Sequence, residues 1–206
     1  PEGRPAWLPL ERVEVDEDVD LGTRSLPAAG DLDVRVTDER GEPVAGATVR
    51  VAQRSGNVSV HDRLRTTAAG LATHGLRDGP GIRLAGPVEV VVEPPDDDLY
   101  PEQTHRLNVS VDGPRVVAVT VETTPPVARL AAFGTFEPDE PVFLHAHESD
   151  VPAGVAEYRW DLDGDGAVDR VSDEPLVRYV PDEGEPQPTL TVVDRAGKTD
   201  RSTVTL

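Results

Sequence analysis

Cysteine is absent from this chain of 206 residues. Disulfides therefore take no part in holding it together, and cysteine pairing says nothing about its redox compartment. Aromatic side chains are scarce: Trp7, Tyr100, Phe133, Phe136, Phe143, Tyr158, Trp160 and Tyr179 serve the whole sequence, and Tyr100 stands alone between Asp31 and Glu122. A core in that stretch has to be built from Val, Leu and Ala, and β-branched valine suits a pleated, half-buried surface. No apolar run approaches the ~18 residues that mark a bilayer-spanning helix. No apolar period of 3.6 residues appears, and 20 prolines and 18 glycines punctuate the chain, so no helix of more than about two turns is expected. The first residues do not have the pattern of a secretory leader, and Pro1 stands where a translation start would carry methionine. The expectation is that a leader or a longer parent chain has been removed.

Several chemistries lack their residues. With no cysteine, no Gly-x-Ser-x-Gly turn and no His-Glu-x-x-His helix, nucleophilic and metalloprotease catalysis find no support, and phosphate-cradling glycine loops are absent too. Carboxylate pairs occur at every spacing among 39 acids, but aromatics at 4% leave little for a sugar-stacking cleft. The expectation is a chain that is not an enzyme.

Acid dominates what is present: 39 Asp and Glu against 20 bases, a net charge of −19. Such a field repels phosphate backbones, which argues against nucleic acid as a partner. The runs 16–18 and 96–98 read as solvated acidic surface. Lys198 is the single lysine and Ile82 the single isoleucine. A GC-rich genome swaps lysine for arginine and makes isoleucine rare, but it does not supply surplus acid. The combination points to a salt-loving microbe, where high salt screens the self-repulsion.

Period-2 alternation runs through the chain. Val13, Val15, Val19 and Leu21 share one parity, Glu14, Asp16, Asp18 and Asp20 the other, with Glu17 the one break. That is a strand with one apolar and one acidic face, in an N-terminal segment 1–30 that ends in a Pro-Ala-Ala-Gly turn. Leu32, Val34 and Val36 alternate next, and Ala47, Val49 and Val51 resume in phase after a turn at 39–43.

The string Val36-Thr37-Asp38-Glu39-Arg40-Gly41-Glu42-Pro43-Val44-Ala45-Gly46-Ala47-Thr48-Val49-Arg50-Val51 resembles the opening hairpin of carboxypeptidase-regulatory-like domains. Thr66–Ala72 and Val88–Val92 match that family's next turn and strand. Residues 57–65 read as a loop, and they and the glycine-rich 78–86 match it less well. The resemblance implies a small transthyretin-like sandwich over 31–123 and no catalytic residues. Thr123-Thr124-Pro125-Pro126 reads as a stiff hinge.

Beyond it, Tyr158-Arg159-Trp160-Asp161 runs into Leu162-Asp163-Gly164-Asp165-Gly166, and Val192-Val193-Asp194-Arg195-Ala196-Gly197 follows. This pattern over 125–206 resembles the PKD domain, an immunoglobulin-like sandwich. The resemblance implies an extracellular spacer, adhesion module or part of a surface assembly. The fold expected is therefore all-β: two tandem immunoglobulin-like β-sandwiches with an N-terminal strand segment.

Three features carry candidate chemistry. Asp161, Asp163, Asp165 and Asp169 have the spacing of a calcium loop, in which alternate carboxylates converge on one hard cation. Ser172 stands where an EF-hand places a bidentate Glu, and Asp and Gly are also the ordinary formers of a hairpin turn. Both asparagines, Asn57 and Asn108, begin an Asn-Val-Ser sequon, the acceptor for N-glycans. His145 and His147 lie on one side of a strand, which is more simply a solvated pair than the start of a zinc or copper site.

Two functions from different classes remain. One is an extracellular structural or adhesive subunit of a cell-surface or viral assembly, with protein partners and self-assembly by strand addition through Val13, Val15, Val19 and Leu21. The other is a non-catalytic binding module of a larger secreted enzyme. Native size separates them: a subunit polymerises, and a module stays monomeric.

Overall fold

The computed structural model describes residues 29–55, 58–74, 84–135, 140–181 and 186–206. Val13, Val15, Val19, Leu21 and Asn57 lie outside them, as does most of the glycine-rich 78–86 stretch. Every regular element among the described residues is a strand. The chain divides between Glu122 and Thr123 into two compact units.

In the first unit the strands are β1 (Leu32–Asp38), β2 (Thr48–Ser55), β3 (Val58–Arg65), β4 (Leu71–His74), β5 (Gly86–Glu93), β6 (His105–Val111) and β7 (Arg115–Val121). They form two sheets, ordered β4-β1-β7 and β3-β2-β5-β6. Alternation decides which side chains meet between the sheets. Leu32, Val34 and Val36 from β1 are fully buried, as are Val49 from β2 and Val90 and Val92 from β5, while Arg35 and Arg50 point out. Each buried valine contributes ~1.5–3 kcal/mol relative to exposure, so this core gains by number rather than by any large ring. Among the described residues, Tyr100 is its one aromatic. The first and last strands are parallel neighbours, from Leu32 opposite Arg115 to Asp38 opposite Val121. Their approach explains Gly30: a Cβ there would sit 1.9 Å from the Gly113 carbonyl oxygen.

The segment 58–65, read from sequence as a loop, is strand β3, paired with β2 from Ser55 opposite Val58 to Thr48 opposite Arg65. Asp62 obscures its alternation. It occupies the same side as the half-buried Val60 and Leu64, and it is accepted there because its Oδ2 lies 2.8 Å from His74 Nδ1.

The second unit comprises β8 (Ala131–Gly134), β9 (Val142–His145), β10 (Val155–Asp161), β11 (Arg170–Ser172), β12 (Leu176–Tyr179), β13 (Thr189–Asp194) and β14 (Thr199–Thr203). Its sheets are β12-β9-β8 and β11-β10-β13-β14, antiparallel throughout. Trp160 is fully buried at the centre, with Leu144, Leu190, Val142 and Val192 around it. Its indole Nε1 donates to Ser172 Oγ at 3.0 Å, and that hydroxyl donates to the Glu174 carbonyl at 2.8 Å. A buried Trp needs such a partner for its one donor.

One turn is built twice. Asp38, 1% exposed, accepts the backbone N–H of Arg40 and of Glu42 on Oδ1 at 2.9 and 3.0 Å. Asp194, also 1% exposed, accepts those of Ala196 and Lys198 on Oδ1 at 2.9 and 2.7 Å. Gly41 and Gly197 follow at the same offset with φ of +82° each, where glycine is unstrained. The second oxygens differ. Asp38 Oδ2 holds the Arg40 guanidinium at 2.6 and 2.9 Å, which raises that arginine's pKa above its ordinary value. Asp194 Oδ2 is buried without a hydrogen-bond partner. Lys198 reaches elsewhere, its Nζ donating to the Thr123 carbonyl at 2.6 Å.

Candidate functional site

The acidic loop leaves β10 at Asp161 and returns at β11, where Trp160 pairs with Arg170. Alternation points Tyr158 and Trp160 into the core, and it leaves Asp161 on the outward side, where the loop begins. Asp161 then organises the turn: its Oδ1 accepts the N–H of Gly164 at 2.8 Å and its Oδ2 that of Gly166 at 3.0 Å. Asp163 accepts from Asp165 N–H at 3.0 Å, and Asp169 closes the loop by accepting from Leu162 N–H at 2.6 Å. Gly164, at φ +80°, has no room for a side chain, because a Cβ would lie 2.8 Å from the Gln187 carbonyl oxygen.

Asp161, Asp163 and Asp169 each bring one carboxylate oxygen within 4.8 Å of the others. Oxygens on one Ca²⁺ lie 2.3–2.6 Å from it, so two ligands across the ion are at most about 5 Å apart. The three residues satisfy that limit. Their backbone hydrogen bonds do not exclude a cation, since a carboxylate oxygen has two lone-pair sites. Asp165 is not in the group; its Oδ1 takes the Ala167 N–H at 2.7 Å. Ser172, at the twelfth place of the loop, is occupied between the Trp160 indole and the Glu174 carbonyl. Of the four carboxylates in the linear spacing, Asp161, Asp163 and Asp169 converge and Asp165 stands apart from them.

Asn108 is exposed on β6, an edge strand, where its side chain points away from the core. His145 is half-buried and His147 exposed, with ring centroids 5.7 Å apart. Among the described residues no third His, Cys, Asp or Glu atom joins them in a three-ligand group. A separate cleft of about 420 Å³ in the first unit is lined by Glu93, Asp96, Glu102, Tyr100 and three prolines. Burial, reinforced by Asp38, raises the Tyr100 pKa above its ordinary value.

Sequence reading passed over Phe133 and Phe143. They pair directly across β8 and β9, and their rings stack at 5.2 Å with an interplanar angle of 10°. Both point outward, because Val142 and Leu144 take the inward parity of β9. That parity was the available signal.

Among the described residues, no helix is long and apolar enough to cross a membrane. No family model and no curated protein matches the chain. Among solved structures, the chain is similar to the Bacillus anthracis TIE protein, with 10% identity and a TM-score of 0.34 over 87% of this chain and 31% of that one. It is similar to BcpA, the major pilin subunit of Bacillus cereus, with 13% identity and a TM-score of 0.33 over 84% and 67%. It is also similar to fibronectin(III)-like modules of Clostridium thermocellum CbhA, with 17% identity and a TM-score of 0.35 over 87% and 89%. The chain spans about a third of the length of the first of these and about two thirds of the second.

Proposed function

We propose that this chain is a non-catalytic structural or adhesive subunit, displayed outside a salt-adapted microbe or a virus that infects one. Its first unit is assigned to the carboxypeptidase-regulatory-like family and its second to the PKD family. The observation that carries the reading is architectural. Two sandwiches follow one another in the sequence, and among the described residues each of their sheets ends in edge strands, the kind of backbone edge on which an added strand pairs. Val13, Val15, Val19 and Leu21 are the chemistry that fits such an edge: an incoming strand satisfies its own backbone through the ladder while its valines fill the groove. Where the acceptor lies on the next subunit, head-to-tail repetition gives an open filament. Where it lies on the same chain, the segment completes a sandwich.

Calcium at Asp161, Asp163 and Asp169, and glycans at Asn57 and Asn108, belong to the same proposal. A cation neutralises three crowded carboxylates, and its binding energy adds to folding.

Removal of residues 1–24 tests the assembly. Loss of polymers with both sandwiches still folded supports strand exchange between subunits. Loss of a folded sandwich assigns the strand to its own chain. The cleft beside Tyr100 favours a second reading, a binding module of a larger secreted enzyme, since its volume lies within the range of small-ligand sites. That reading expects a strict monomer.

A further inference from the structure

The outward faces of the four sheets differ in whether their strands carry carboxylates. Asp33 lies on the outward side of β4-β1-β7, Glu89 and Glu93 on that of β3-β2-β5-β6, and Glu157 on that of β11-β10-β13-β14. The outward strand positions of β12-β9-β8 are Ala131, Phe133, Phe143, His145, Leu176 and Arg178. None is a carboxylate, in a chain with 39 of them. The residues sit in two rows: Ala131, His145 and Leu176 in one, Phe133, Phe143 and Arg178 in the other. Phe133 is 50% exposed and Leu176 38%. The His145 ring lies 5.7 Å from that of Phe133. Two of the chain's three phenylalanines are thus spent on a surface rather than a core.

We infer that this face docks against the same face of a second copy of the chain, in an isologous pair. Charge selects the occupant. Two chains of net charge −19 repel wherever carboxylates meet, and this face is where they approach without that cost. Apolar rings leaving water supply the attraction. Area sets the strength. Three strands at ~4.8 Å and two rows of side chains give roughly 200 Å², against about 800 Å² per partner in a standard stable interface. One contact is therefore transient, and it gains weight when repeated along an array. A two-fold pair closes on itself, unlike the open filament of strand addition. The pairing stands whether or not the strand-exchange reading holds.

The test is sedimentation equilibrium of the full chain at high concentration in ~0.1 M and ~1 M salt, across which the Debye length falls from ~10 to ~3 Å. It is run in a Val15→Asp background, so that strand exchange does not contribute. Pairs are expected, with association rising with salt. Phe133→Asp and, separately, Leu176→Asp should each weaken it at least about tenfold with an unchanged circular-dichroism spectrum. Val116→Asp, at a 63% exposed valine of β7, should leave it unchanged. Using two variants protects the result against misfolding of either one. A monomer at both salts overturns the proposal, as does association indifferent to both variants. Association that weakens with salt also overturns it, because the occupant is then an acidic surface. If filaments of the unaltered chain vanish with Val15→Asp while pairs persist, both readings stand. If pairs vanish with them, this one falls alone.

Discussion

The two sandwiches reach closed cores by different means. The first is packed from valines on facing strands, with Tyr100 the one aromatic among its described residues. The second is gathered around one Trp160, with Tyr158 beside it at 6.1 Å between ring centroids. A distributed core loses little at any single position, whereas a centred core concentrates its energy and its specificity in one side chain. The same contrast recurs in the shared Asp-x-x-Gly turn. Asp38 has both oxygens satisfied, and Asp194 has one.

The sharpest way to break this contrast is truncation of each core. Trp160→Ala removes the centre and takes the indole donor from Ser172 Oγ, and should cost about 3–5 kcal/mol. Val90→Ala should cost about 2 kcal/mol. Calorimetry should show two transitions, each variant moving only its own. Equal losses, or joint movement of both transitions, would refute independent cores of different design.

Next in size are the turns. Asp38→Ala takes the carboxylate away from the Arg40 guanidinium and from two backbone N–H groups, and should cost about 2–4 kcal/mol. Asp194→Ala strands two N–H groups but also removes an unsatisfied buried oxygen, and should cost about 1–2 kcal/mol. Urea midpoints of the two transitions give the order, and a reversed order would contradict the hydrogen-bond account. Ala196→Arg sharpens the comparison by placing a guanidinium where Arg40 stands in the other turn. It should stabilise the second unit by about 0.5–1.5 kcal/mol, and no gain would mean that Asp194 Oδ2 is already satisfied by solvent.

The smallest effect is at alkaline pH. Burial raises the Tyr158 pKa, and burial with the nearby Asp38 charge raises that of Tyr100, where Arg40 pulls the other way. A raised folded pKa means stability fully present below the unfolded value of about 10. That stability is lost as pH rises through the folded value. Both transitions should therefore fall above pH ~10, and Tyr158→Phe should flatten the fall in the second unit only.

The strands with unbroken alternation were legible in the sequence. Leu32-Val34-Val36 and Tyr158-Trp160 have one parity inside and one outside, so the all-β class followed from period, whereas the sandwich architecture was expected only from the resemblance to known families. Strand β3 was not legible, because Asp62 on its inner side needs His74, remote in sequence, to be tolerated. The linear spacing of the acidic loop did not say which of its carboxylates come together. Which carboxylates converge depends on where the turn sends each side chain, and Asp165 is sent to the Ala167 N–H. The outward phenylalanines were missed because large rings are expected in cores; only the parity of Val142 and Leu144 places Phe143 outside.

The function proposed for this chain is that it builds assemblies. Electron microscopy of the purified, intact chain at high concentration and high salt tests it most directly. Filaments or larger particles that disappear with Val15→Asp are the expected result. A chain that remains strictly monomeric under those conditions contradicts the claim.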